Sequence, residues 1–68
     1  MSNIMGDDGR WYTEVDCLTV AETKMAVLLD NGNRKEWFPK AWLEDWPDYA
    51  KTGTALILED KAIDKHFV

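Results

Sequence analysis

The chain is poor in cysteine, in histidine and in positive charge. Cys17 is the single cysteine, so no disulfide can close within the chain. A lone thiol also fits a reducing compartment better than a secreted scaffold. The start, MSNIMGDDGR, lacks a basic segment followed by an apolar run, so a signal peptide is not expected. Apolar runs stay far short of the roughly 18 residues that a spanning helix needs. Together these absences predict a soluble, cytoplasmic protein.

The single histidine, His66, has no cysteine near it in sequence, so no zinc spacing exists. The DNGNRKE stretch lacks the alternating acids of a calcium loop. No glycine-rich phosphate loop occurs. Cys17 stands beside Asp16 and close to Glu14, the opposite of the electropositive setting that activates a thiol. It reads as a buried structural residue. His66 reads as a surface side chain near a helix C-terminus, where it complements the dipole. A chain of 68 residues also has little room for a pocket of the roughly 300 Å3 that ligands need. No enzyme activity, metal or cofactor is expected.

Eight basic residues face thirteen acidic ones, a net charge of −5. Nucleic-acid binders usually show a basic footprint. The opposite balance points to a protein partner with a basic face, and it also aids solubility.

Residues 1–9 hold Gly6, Gly9, Asp7 and Asp8 with little apolar mass, and read as a flexible arm. Residues 10–68 form one small domain. Tyr12 to Val20 reads as a strand, and residues 24–30 as a second. Asn31 and Gly32 both tolerate positive φ, which predicts a type I′ hairpin turn. Residues 34–39 return as a third strand, with Pro39 at its end or where no ladder bond is needed. KAWLED suggests a short helical turn and WPDYAKTG a loop. TALILE is a fourth strand. Asp60 then caps a terminal helix on which Ile63 and Phe67 share a face. The fold expected is mainly β with a short C-terminal helix: a small bent antiparallel sheet, closing as an SH3-like or OB-like partial barrel. An open three- or four-stranded sheet crossed by the helix is the alternative.

ETKMAVLLDNGNRKEWFPKAWLED, followed by GTALILEDKAIDKHFV, resembles a family of small phage and prophage proteins. These carry a W-[IF]-P-K β-hairpin, a G-T-L-x-I strand and a C-terminal amphipathic helix. The matching positions are Lys24, Ala26, Val27, Leu28, Gly32, Trp37, Phe38, Pro39, Lys40, Gly53, Thr54 and Leu56. Ala41 stands where those proteins have a serine, and AWLEDWPDY adds Trp42 and Trp46. The resemblance implies a phage-type protein acting in the host cytoplasm. Its expected roles are an accessory to recombination or replication, or an antagonist of host defence.

Three of the four tryptophans fall between positions 37 and 46, and the question is whether they build a core or a surface. Trp37 and Phe38 must point to opposite faces of a strand. Trp37 is expected to be mostly structural, and one of Trp42 and Trp46 at least half exposed. Trp42, Glu44, Asp45, Trp46, Asp48 and Tyr49 then make an aromatic-acidic patch of the kind that anchors protein interfaces. The leading expectation is a non-enzymatic binding protein that docks on a basic, nucleic-acid-handling protein, for example as an inhibitor of the anti-CRISPR kind. The alternative is a single-strand nucleic-acid accessory protein using Arg34, Lys35, Trp37 and Lys40. A homodimer would add the core that so short a chain lacks.

Overall fold

One long strand organises the molecule. In the computed structural model, which describes residues 3–68, Trp11–Glu22 runs twelve residues as β2. The other strands are β1 (Asn3–Met5), β3 (Ala26–Asp30), β4 (Lys35–Pro39), β5 (Leu43–Asp45) and β6 (Thr52–Leu58). A 3-10 turn covers Lys40–Trp42, and the helix α1 covers Glu59–Asp64. All pairings are antiparallel, in the order β4-β3-β2-β6-β5, with β1 beside β2. β2 pairs with β6 along one side over Tyr12 to Leu18. Along its other side it pairs first with β1 and then with β3. The sheet is open, with β4 and β5 as its two ends, so the mainly β fold with a short terminal helix is as expected.

Strand alternation sets the core. Val15, Cys17, Val27, Leu29, Phe38, Leu43, Ala55 and Ile57 point to one face, which Ala62 and Phe67 cover. Phe38 and Phe67 meet edge to face, with ring centroids 5.0 Å apart. Tyr12 points the other way and is still buried, because the 6–10 turn folds over it. Its hydroxyl donates to Asp8 Oδ2 at 2.9 Å. Gly6 lies against the ring so closely that a Cβ there would overlap Tyr12 Cε1.

Several expectations are corrected. Residues 3–9 are not a flexible arm but a paired strand and a turn, closed by Gly6 N–H to the Arg10 carbonyl at 2.8 Å; residues 1 and 2 lie outside the described residues. The β3–β4 hairpin is present, but its connection spans residues 31–34, and only Gly32 has positive φ. Asn31 serves instead as a local cap. Its Oδ1 accepts the N–H groups of Asn33 and Arg34, and its Nδ2 donates to the Phe67 carbonyl.

The predicted KAWLED turn stops at Trp42, and Leu43–Asp45 is a strand paired with β6. α1 starts straight from β6 at Glu59, so Asp60 lies in its first turn rather than at its cap. The helix ends early in a Schellman motif: His66 takes φ 55°, His66 N–H donates to Ile63 and Phe67 N–H to Ala62. That reversal separates the two residues expected on one face. Phe67 is buried, while Ile63 is 55% exposed.

Candidate functional site

The predicted aromatic-acidic patch divides in the structure. Trp42 and Trp46 are both half-buried and pack against the core. Each is also covered by a cation: Lys61 Nζ lies 4.9 Å from the Trp42 ring centre and Lys40 Nζ 5.6 Å from that of Trp46. Neither ring is as exposed as was expected of one of them. Their position follows from β5, which pins the chain between them to β6 and turns both rings toward the sheet. The same connection is tied down further on. Thr19 Oγ1 donates to the Pro47 carbonyl at 2.7 Å, and Ala50 N–H donates to the Thr19 carbonyl at 2.9 Å.

The rest of the patch remains at the surface. Glu44, Asp45 and Asp48 are exposed, and Tyr49 is 65% exposed. Strand register adds two residues that sequence reasoning left out. Glu14 and Asp45 both stand opposite Leu56, one on each neighbouring strand, on the face away from the core. Asp16 follows Glu14 on that face and accepts from the Thr54 hydroxyl at 3.3 Å. None of these five carboxylates has a cation within 4.0 Å among the described residues. Glu14 and Asp16 were visible in the sequence only as neighbours of Cys17. Their shared outward face with Asp45 comes from pairing across three strands.

The basic-aromatic group of the hairpin is also rearranged. Trp37 is 45% exposed, not mostly structural, because Phe38 takes the inward position. Trp37 stands opposite Leu28, which in turn stands opposite Ala21, an apolar row on the outer face. Arg34 pairs with Glu36 at 3.0 Å, and Lys40 pairs with Glu22 at 2.7 Å. Lys40, helped by the Trp46 indole, holds the Glu22 carboxyl below its ordinary value. Of the predicted basic residues, Lys35 alone makes no ion pair among the described residues.

A cleft of about 560 Å3, larger than so small a chain suggested, opens beside Asp16, Cys17, Leu18, Asp30, Asn31, Gly32, Thr52, Gly53 and Thr54. It contains no histidine. Burial pushes the Cys17 thiol up to about 11, so the thiol form prevails at neutral pH. No three metal-ligating side chains of the His, Cys, Asp and Glu set converge among the described residues. Among the described residues no helix is long and apolar enough to cross a membrane. Compared with protein-family models, curated proteins and solved structures, the chain matches none.

Proposed function

We propose that this protein is a non-catalytic binding module that docks a basic, nucleic-acid-handling protein through its outer acidic face. The observation that carries this reading is the row Asp45, Leu56, Glu14 with Asp16 beside it. Unpaired carboxylates around a half-buried leucine offer charge steering at the rim and apolar contact at the centre. Glu44, exposed and close enough to Tyr12 to act on its hydroxyl, extends the same negative field. Trp42 and Trp46 support this surface from beneath rather than touching the partner.

An inhibitor of a host defence nuclease is the most concrete form of this role. Such an inhibitor would present carboxylates where the nuclease expects phosphates. The test is capture of a defined partner by the native chain and by Glu14→Lys/Asp45→Lys. Binding that falls at least about tenfold in the variant, with unchanged circular dichroism, supports the reading. Equal binding by both proteins removes the acidic row from it.

The exposed Trp37 favours a second reading, stacking of a single-stranded nucleic acid. Ion pairs already occupy Arg34 and Lys40, which leaves Lys35 to neutralise phosphate. Titration with single-stranded oligonucleotides at low and moderate salt checks this reading. Tryptophan quenching that vanishes with salt would favour it.

A further inference from the structure

β4 is an end strand of five residues, and no described residue pairs with its outer side. The direction of its backbone groups follows from two hydrogen bonds. Lys40 N–H donates to the Met25 carbonyl at 2.8 Å, and the Arg34 carbonyl accepts from Asn31 N–H at 3.2 Å. Backbone groups of alternate residues point to the same side of a strand. Even-numbered positions of β4 therefore face β3, and Lys35, Trp37 and Pro39 face outward. The outward donors are the N–H groups of Lys35 and Trp37, since Pro39 has none.

We propose that this edge is a homodimer interface, formed by antiparallel pairing of β4 with β4 of a second copy about a two-fold axis at Trp37. A two-fold contact must be self-complementary. An axis through an inward position is disfavoured: at Glu36 it sets two carboxylates directly opposite each other, and at Phe38 it leaves the Lys35 N–H against the 3-10 turn at residues 40–42. Three centres on outward residues remain. Centred on Lys35, the pairing sets two lysines directly opposite each other, which is destabilising. Centred on Pro39, it sets two residues without N–H groups against each other. Centred on Trp37, each Trp37 N–H meets the partner's Trp37 carbonyl, and each Lys35 N–H meets the partner's Pro39 carbonyl. Every outward donor is satisfied. The Lys35 ammonium then lies diagonally beside the partner's Trp37 ring on the outer face, within reach of a cation–π contact.

Charge selects the same edge. Two copies of a chain carrying −5 repel across most of their surfaces. Around β4, Arg34, Lys35, Lys40 and Lys65 stand among Glu22, Asp30 and Glu36, so the local charge is close to neutral. Lysine and proline on an edge strand commonly discourage pairing; here they remove the competing registers and leave one. A domain this short also gains from the surface that a second copy covers. The acidic row lies on β2, β6 and β5, toward the other end of the sheet, and stays open, so this inference stands apart from the partner-binding role.

The experiment combines sedimentation equilibrium with amide hydrogen exchange on the full chain, over about a hundredfold range of concentration. The mass is expected to rise from 7.9 kDa to twice that value. The Lys35 and Trp37 amides should gain at least about tenfold protection at high concentration, with Glu36 and Phe38 protected throughout. Trp37→Pro removes an outward donor without touching the bonds to β3, and should remain monomeric. Should that variant fail to fold, the exchange comparison on the native chain still decides. A constant monomer mass overturns the proposal. So does a dimer whose Lys35 and Trp37 amides exchange freely. Protection that appears only when a different protein is added also overturns it, and assigns the edge to that protein's strand.

Discussion

The two ends of the sheet solve the same exposure problem in opposite ways. β5 is three residues long, shifts register against β6 between Leu43 and Asp45, and carries Glu44 and Asp45 at the surface. Short length, irregular pairing and like charge all discourage strand addition. β4 has five residues in unbroken register with β3, charges of both signs, and an exposed Trp37. Both strands anchor the core through one inward side chain, Phe38 or Leu43. The contrast shows that a strand's inward residue decides stability, while its outward residues and length decide what the edge will accept.

The largest expected effect tests the anchors. Phe38 is fully buried and meets Phe67, so Phe38→Ala should cost about 3–5 kcal/mol in urea unfolding. Leu43, slightly exposed at the shorter edge, should cost about 2–4 kcal/mol as Leu43→Ala. A larger loss at Leu43 would reverse the ranking of the two ends.

The tryptophans come next. Trp42→Ala removes a ring packed on the core and should cost about 1–3 kcal/mol. Trp37→Ala, on the outer face, should cost less than about 1 kcal/mol in the monomer. Equal losses would mean that Trp37 carries more of the fold than its exposure indicates.

The ion pair beside β4 sets a pH dependence. The folded Glu22 carboxyl titrates below its ordinary 4.5 because Lys40 holds it charged. Its contribution is therefore complete above about pH 4.5 and is lost as pH falls through the lower folded value. Glu22→Gln should flatten that part of the stability curve. An unchanged curve would show that the pair contributes nothing measurable.

The smallest expected effect is a gain. His66 ends α1 with φ 55°, a conformation that favours glycine. His66→Gly should raise stability by about 0.5–1 kcal/mol, read as a higher urea midpoint. A loss would mean that the imidazole makes a contact worth more than the strain.

Much of the fold was legible because alternation is local. The inward set of β2, β3 and β6 follows from a period of two, and the turn between β3 and β4 was marked by Asn31 and Gly32. The hairpin's turn type was not legible, since Asn31 is committed to capping the loop and to holding the Phe67 carbonyl. β5 was missed because three residues carry no readable period, and they are extended only because β6 lies beside them. The candidate patch was named from composition, which carries no exposure: Glu44, Asp45, Asp48 and Tyr49 are at the surface, while Trp42 and Trp46 are drawn onto the core by packing that no local pattern shows.

The sequence by itself determined that the chain is mainly β, that Trp37 and Phe38 face opposite ways, and that the molecule carries excess negative charge. Only the tertiary structure decided which of the two faces is covered. That choice depends on where α1 and the 46–51 loop come to rest, a long-range outcome that no local period contains. It buries Phe38, withdraws Trp42 and Trp46, and leaves Trp37 exposed beside the free edge of β4.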